Sequence, residues 1–378
     1  MNVIFAACHV GQARALQPVA AKLVRAGHKV AVFLDETQPA YRSLLAKQIA
    51  FPGCEVCIVR SNMIGAIENV EGCLRARNPD RVLVTLSPTD VSDTVEQLLY
   101  IAAQLADVPV FGYAEVPCGH LAPAWLRRTP GFTKLFVAQR THDLQNKLDV
   151  VEVGVEVPKM NHENAVRTKD LLGLDHDAPW VWYPGGPYRQ AADILTKLVE
   201  QVAIFQNKNG KLVSIVFSRH SRDEPGFAAI YREVVLYASS AGVSITENSA
   251  DHTDTTSVQN PSIVPYVDLL EACSCEGVIV TGHGTDGMVK APRLGIPSIL
   301  CVGSELDPHI FREKGCEVLP LPAACPVQIT RLGDLGGALH NAVQHRAAYQ
   351  QLCQTLYPPQ ECSPADIIVK EMTGKQFA

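Results

Sequence analysis

Two stretches of this chain pair bare backbone with polar side chains, the combination that holds a phosphate group. Gly277-Val278-Ile279-Val280-Thr281-Gly282-His283-Gly284-Thr285-Asp286-Gly287 runs into Met288 and on to Gly295-Ile296-Pro297-Ser298-Ile299-Leu300. The pattern predicts an apolar strand, a glycine turn, the first turns of a helix, a Gly-x-Pro stop and a second strand. N–H groups converge at such a helix start and its dipole favours negative charge, so Gly282, His283, Gly284, Thr285 and Asp286 are candidates to hold a diphosphate. His283 or the Thr285 hydroxyl would donate to a phosphate or sugar oxygen as charge develops there. Gly185-Gly186-Pro187-Tyr188 offers the same physics in front of an amphipathic helix from Ala191 to Gln206. In Ser218-Arg219-His220-Ser221-Arg222-Asp223 two arginines and a histidine close a strand, which makes Arg219 a candidate phosphate contact. The plainer reading of all three stretches, ordinary βα turns and solvated charges, stays open at this level.

Proton chemistry has its candidates in the first third of the chain. His9 follows the first predicted strand in a loop with Gly11 and Gln12, and a neutral imidazole suits a general base near neutral pH. Asp90 and Glu115 each follow a predicted strand and would accept a proton or orient His9. Asp90, in Ser87-Pro88-Thr89-Asp90, also reads as a helix cap, and His9 as a loop residue bonded to backbone. Cys54-Glu55-Val56-Cys57 and Cys273-Ser274-Cys275 lack the second matching pair that a zinc site uses, so no metal is expected. Asp175-His176-Asp177 precedes the strand at Trp180, at the end of a sheet away from ligands, and is discounted.

The elements that position these residues alternate in type. Strands are predicted over Val3–Ala7, Lys29–Leu34, Arg81–Leu86, Pro109–Tyr113, Phe136–Gln139 and Val150–Val155, with helices over Ala13–Ala26 and Val91–Ala106 among them. The second half repeats the logic: helix Asn161–Leu172, strand Trp180–Tyr183, helix Ala191–Gln206, strand Lys211–Phe217, helix Ala228–Ala241, the glycine-turn motif, and strand Pro297–Val302. A helix over Asp307–Lys314 and helices over 327–357 and 364–374 complete the expectation. Such alternation implies βαβ units and parallel sheets, and ligands bind at the carboxyl ends of parallel strands. At 378 residues two doubly wound domains are expected, 1–157 and 158–355, facing a central cleft, with 356–378 crossing back to the first.

Composition narrows the function. A formal charge of −6 without a basic cluster argues against nucleic acid. No run approaches the roughly 18 apolar residues of a membrane span, which leaves peripheral contact as the one membrane role. Segment 1–8 reads as a buried strand and not a signal peptide, and twelve scattered cysteines fit reduced thiols in a cytoplasm.

Ala7-Cys8-His9-Val10-Gly11-Gln12-Ala13-Arg14 with Ala26-Gly27-His28-Lys29-Val30 resembles the opening strand, loop and helix of the GT-B superfamily. That superfamily contains the nucleotide-sugar glycosyltransferases, including the MurG-like group, and the nucleotide-sugar 2-epimerases. Tyr266-Val267-Asp268-Leu269-Leu270, the stretch Gly277 to Pro297, and Ser304-Glu305-Leu306-Asp307 resemble its donor-binding half. The resemblance implies a base role for His9 and a diphosphate contact at Gly185 and Gly186. It also implies a base or phosphate contact at Arg219 and His220, and a sugar-hydroxyl contact at Asp307. Asp307 reads equally as a helix cap. Two departures stand out. Lys290 occupies the place of the glutamate that holds the ribose hydroxyls, and lysine has only donors. Val10 and Gln12 stand where the epimerase loop has an arginine and a glutamate.

The expected activity is therefore metal-independent transfer of a sugar from a nucleotide-activated donor, a uridine or other nucleoside diphosphate sugar, to a small-molecule or glycan hydroxyl. No separate cofactor is expected. An epimerase or hydrolase on the same fold, and a non-catalytic binding protein, are the alternatives.

Overall fold

The computed structural model describes all residues except 46–48, 61–64, 87–93, 116–130, 139–148, 156, 158–159, 186–189, 220–226, 249–263, 283–285, 303–326, 358–359 and 375–378. Asp90, Gly186, His220, His283, Gly284, Thr285, Asp307 and the helix expected over Asp307–Lys314 lie outside the described residues. Two compact units emerge, one built from Met1–Glu156 with Gln360–Ala378, the other from Val157–Ile310 with Leu321–Pro359.

In the first unit β1 (Asn2–Ala6), β2 (Lys29–Asp35), β3 (Glu55–Val59), β4 (Arg81–Thr85), β5 (Val110–Ala114), β6 (Lys134–Val137) and β7 (Val150–Glu152) form one parallel sheet. Its order is β3-β2-β1-β4-β5-β6-β7. Helices α1 (Val10–Arg25), α2 (Pro39–Leu45), α3 (Ala66–Arg77) and α4 (Val95–Leu105) connect the strands. Both faces are covered, so strand residues alternate between two cores instead of between core and water. Val3 and Phe5 pack with Leu16, Val19 and Leu23 of α1. Ile4 and Ala6 pack with Val70 of α3 and Leu99 and Ala103 of α4. Each large side chain so buried contributes about 1.5–3 kcal/mol.

The second unit holds β8 (Trp180–Tyr183), β9 (Ser214–Phe217), β10 (Ile245–Glu247), β11 (Gly277–Thr281), β12 (Ser298–Val302) and β13 (Gln328–Arg331), parallel throughout in the order β10-β9-β8-β11-β12-β13. Its helices are α5 (His162–Leu171), α6 (Gln190–Asn209), α7 (Phe227–Ser240), α8 (Tyr266–Cys273), α9 (Asp286–Arg293), α10 (Leu335–Gln344) and α11 (Arg346–Leu356). Leu195, Leu198 and Val202 of α6 and Leu339 of α10 pack on Val181, Ile215, Val280 and Ile299. The helical expectation over 327–357 needs correction at its start, where Gln328–Arg331 is a strand in register with Ile299–Val302.

α12 (Pro364–Thr373) belongs to the first unit. Ser363 caps it by accepting from the Asp366 N–H, Pro364 opens its first turn, and Gly374 ends it at φ 69. Ile368, Val369 and Met372 lie in the same core as Leu16 and Leu23 of α1. Lys22 of α1 pairs with Asp366 at 2.7 Å.

Candidate functional site

Strand order locates a candidate site in each unit. From β1 the chain of the first unit winds outward through β2 and β3, and from β4 it winds the other way through β5 to β7. The loops after β1 and β4 therefore leave in opposite directions, and the crevice between their carboxyl ends is where a doubly wound sheet takes ligands. His9 stands there as the N-cap of α1, in extended conformation. Its N–H donates to Gln12 Oε1 at 3.1 Å. Gln12 is buried, and among the described residues its Nε2 has no hydrogen-bond acceptor. Gly11 is exposed, and a Cβ added there would meet nothing within 4 Å.

Beside His9 is an acid that the sequence reading passed over. Glu96, in the first turn of α4, is fully buried. Its Oε1 accepts the Cys8 backbone N–H at 2.7 Å and its Oε2 lies 2.6 Å from Cys8 Sγ. Thr85 Oγ1, at the end of β4, is 3.2 Å from Glu96 Oε1 and 3.1 Å from the Ala6 carbonyl oxygen. Burial pushes the Glu96 carboxyl above its ordinary value, and burial followed by the charge of Glu96 pushes the Cys8 thiol far up. Asp35, buried at the end of β2, accepts the N–H and the hydroxyl of Thr37, each at 2.8 Å. In sequence, Glu96 looks like an ordinary acid favouring a helix start. Its burial follows from the contact of α4 with β1, across 88 positions of chain.

Glu115 follows β5, one strand from the crevice at the same carboxyl end of the sheet, and is half-buried. The described start of α4 is capped by Thr94, which accepts the Gln97 N–H at 3.3 Å. The helix thus begins at Val95, later than the expected Val91.

In the second unit the same reversal falls between β8 and β11. Gly185 follows β8 at φ 64, a left-handed conformation that glycine takes without strain, and is buried. Tyr183 OH donates to the Ala191 carbonyl at 2.7 Å, tying β8 to α6. Gly282 follows β11 and is buried, and the chain enters α9 at Asp286. Lys290 lies in α9 and is half-buried. Beyond β9, Trp182 Nε1 donates to Ser218 Oγ at 3.2 Å, and Arg219 pairs with Glu247 at 2.7 Å. Asn248 donates to the Val264 carbonyl at 3.0 Å and accepts the Val264 N–H at 2.8 Å.

The structure thus brings His9, Gly11 and Gln12 to one crevice, together with Cys8, Thr85 and Glu96. It brings Gly185 and Gly282 to the other, with Arg219 one strand out. Asp175-His176-Asp177 precedes β8, at the opposite end of the sheet from Gly185. There Asp175 accepts the Asp177 N–H at 2.9 Å and His176 pairs with Asp170 at 2.8 Å. Among the described residues no cluster of three His, Cys, Asp or Glu could hold a metal ion. None of their helices is long and apolar enough to cross a membrane.

Neither a protein-family model nor a curated protein matches the chain. Solved structures do match it over almost its whole length. A protein of Listeria monocytogenes provisionally assigned as a UDP-N-acetylglucosamine 2-epimerase superposes with a TM-score of 0.65 at 13% identity, covering 99% of this chain and 96% of that one. MurG of Acinetobacter baumannii superposes at 0.60 and 13% identity, covering 99% of each chain. A glycosyltransferase of Rickettsia africae superposes at 0.58 and 11% identity, again covering 99% of each. With its parallel sheets of seven and six strands, the chain has the GT-B fold, the fold that the sequence resemblance implied.

Proposed function

We propose that this protein is a glycosyltransferase that moves a sugar from a nucleoside diphosphate donor, a uridine one first, to an acceptor hydroxyl without a metal ion. The observation that carries this reading is the reversal point of the second unit. There Gly185 and Gly282 leave adjacent strands, and the chain passes from each into a helix, α6 or α9. Such helix starts bind a diphosphate through backbone N–H groups and stabilise it as it departs. The acceptor oxygen forms the new bond to the anomeric carbon, and the bond from that carbon to the diphosphate breaks. His9 or Glu115 of the first unit takes the hydroxyl proton.

A second reading, 2-epimerisation of a nucleotide sugar, draws support from the likeness to the Listeria protein. Val10 and Gln12, standing where the epimerase loop has an arginine and a glutamate, weigh against it.

Thermal melting across nucleoside mono- and diphosphates and nucleotide sugars tests the donor half. A ligand bound by the native state alone adds about 2.7 kcal/mol at a hundredfold excess over Kd. Release of nucleoside diphosphate that requires an added acceptor supports transfer. Deuterium entering the sugar at carbon 2 from heavy water supports epimerisation in its place. No shift with any nucleotide overturns both and leaves a non-catalytic binding protein, with Lys290 as the reason.

A further inference from the structure

The proposed reaction makes no use of the polar cluster buried at the reversal point of the first unit. Glu96 is 0% exposed, and its one carboxyl grips the ends of both central strands. It holds β1 through the N–H and thiol of Cys8, at 2.7 and 2.6 Å, and β4 through the Thr85 hydroxyl, at 3.2 Å. The network is satisfied in either protonation state. When the carboxyl is ionised, N–H, thiol and hydroxyl all donate to it. When it is protonated, it donates to Cys8 Sγ or to Thr85 Oγ1, whose own hydrogen turns to the Ala6 carbonyl at 3.1 Å. A fully satisfied buried network is rigid, and a broken one leaves a buried polar group at high cost.

Cys8 directly precedes His9. The loop is thus fixed at consecutive backbone N–H groups, Cys8 to Glu96 and His9 to Gln12. The two anchors come from different helices, α4 and α1, so the path of the chain between them has little freedom. We propose that Glu96 is the positioning residue of this loop, setting through Cys8 and Thr85 the direction of His9 and of the first turn of α1. The inference deepens the acceptor-side reading of the first unit, but its test observes His9 itself and needs no substrate. A blank nucleotide panel would therefore leave this result standing, and failure here would leave the donor half untouched.

The experiment follows the His9 resonance in full-length protein labelled at histidine Cε1, assigned by its loss in His9→Gln. Mass-mapped alkylation of Cys8 under native conditions accompanies it. Glu96→Ala should shift and broaden the His9 signal and speed Cys8 alkylation about tenfold or more, as loss of several bonds to one buried carboxyl group allows. Glu96→Gln keeps an acceptor for the Cys8 N–H and a donor for Sγ. It should leave the His9 signal in place and Cys8 alkylation within about twofold of wild type. An unmoved His9 signal in folded Glu96→Ala overturns the proposal, and so does equal disturbance by Gln and Ala. If Glu96→Ala does not fold, Thr85→Val and Cys8→Ala each delete one partner. Both must then move the His9 signal, and an unmoved signal in either overturns the proposal.

Discussion

Arg219 and Glu247 pair at 2.7 Å across the ends of β9 and β10, with the arginine side chain only 7% exposed. A cation offered by the sequence to a phosphate is thus already held by an acid on the neighbouring strand. A bound diphosphate would share Arg219 with Glu247 or displace it. Glu247→Gln should therefore tighten binding of uridine diphosphate, and Arg219→Ala should weaken it by about tenfold, the worth of one hydrogen bond to a charged group. Calorimetric titration reads both. Unchanged affinity in both variants would leave Arg219 a purely structural tie between strands.

Glu96 also makes a prediction about stability. Burial raises its carboxyl above the ordinary value in the folded protein. The unfolded chain gives up that proton at lower pH than the folded chain does, so between the two values unfolding releases a proton and stability falls as pH rises. Glu96→Gln has no such proton. From about pH 5 to about pH 8 it should lose less stability than wild type. Urea unfolding at the two pH values gives the answer, and equal slopes would mean that Glu96 is ionised in the fold.

Asp366 has the opposite sign. Lys22 holds its carboxyl below the ordinary value, with Ser363 assisting. Its contribution is present above the unfolded value and disappears as pH falls through the folded one. Both side chains are about a third exposed or more, so water screens the pair. Asp366→Asn should cost only about 0.5–1 kcal/mol at neutral pH, and the gap to wild type should close below about pH 4. Acid titration of thermal melting checks it, and a gap that persists in acid would remove the ion pair as its cause.

Gly277 opens β11 against the end of α8. A Cβ there would stand 2.5 Å from Cys273 Cα and 2.9 Å from its carbonyl oxygen, backbone atoms that cannot turn aside. Gly277→Ala should cost about 3 kcal/mol or more, at or beyond the usual range for overpacking. Proteolysis should then cut the second unit before the first. A wild-type melting curve would show that α8 shifts freely.

The alternation of strand and helix was legible because strands of a sheet covered on both faces are continuous apolar runs, as Trp180–Tyr183 and Gly277–Thr281 are. β3 is an edge strand with Glu55, Val56 and Ile58 exposed; its apolar run, Val56 to Val59, is only four residues long and follows a polar residue, so it stands out less than the central strands do. Gln328–Arg331 is too short and polar to announce itself and was absorbed into the helices after it. Of the candidate site, the places of the glycine turns and of His9 at strand ends could be read because each closely follows a predicted strand. Glu96 could not. Its chemistry depends on β4 lying beside β1 and not beside β3, and strand order leaves no mark on local sequence.

The docking of α12 on α1 has a consequence for synthesis. The layer that covers one face of the first sheet is completed by residues made after the whole of the second unit. While the ribosome is still extending the chain, Leu16 and Leu23 have no Ile368, Val369 or Met372 to pack against. The first unit cannot reach its final packing before the second has been synthesised, although domains made first usually fold first. Until Thr373 has left the exit tunnel, the nascent protein carries an open apolar seam along α1, and that seam is where a chaperone would find it.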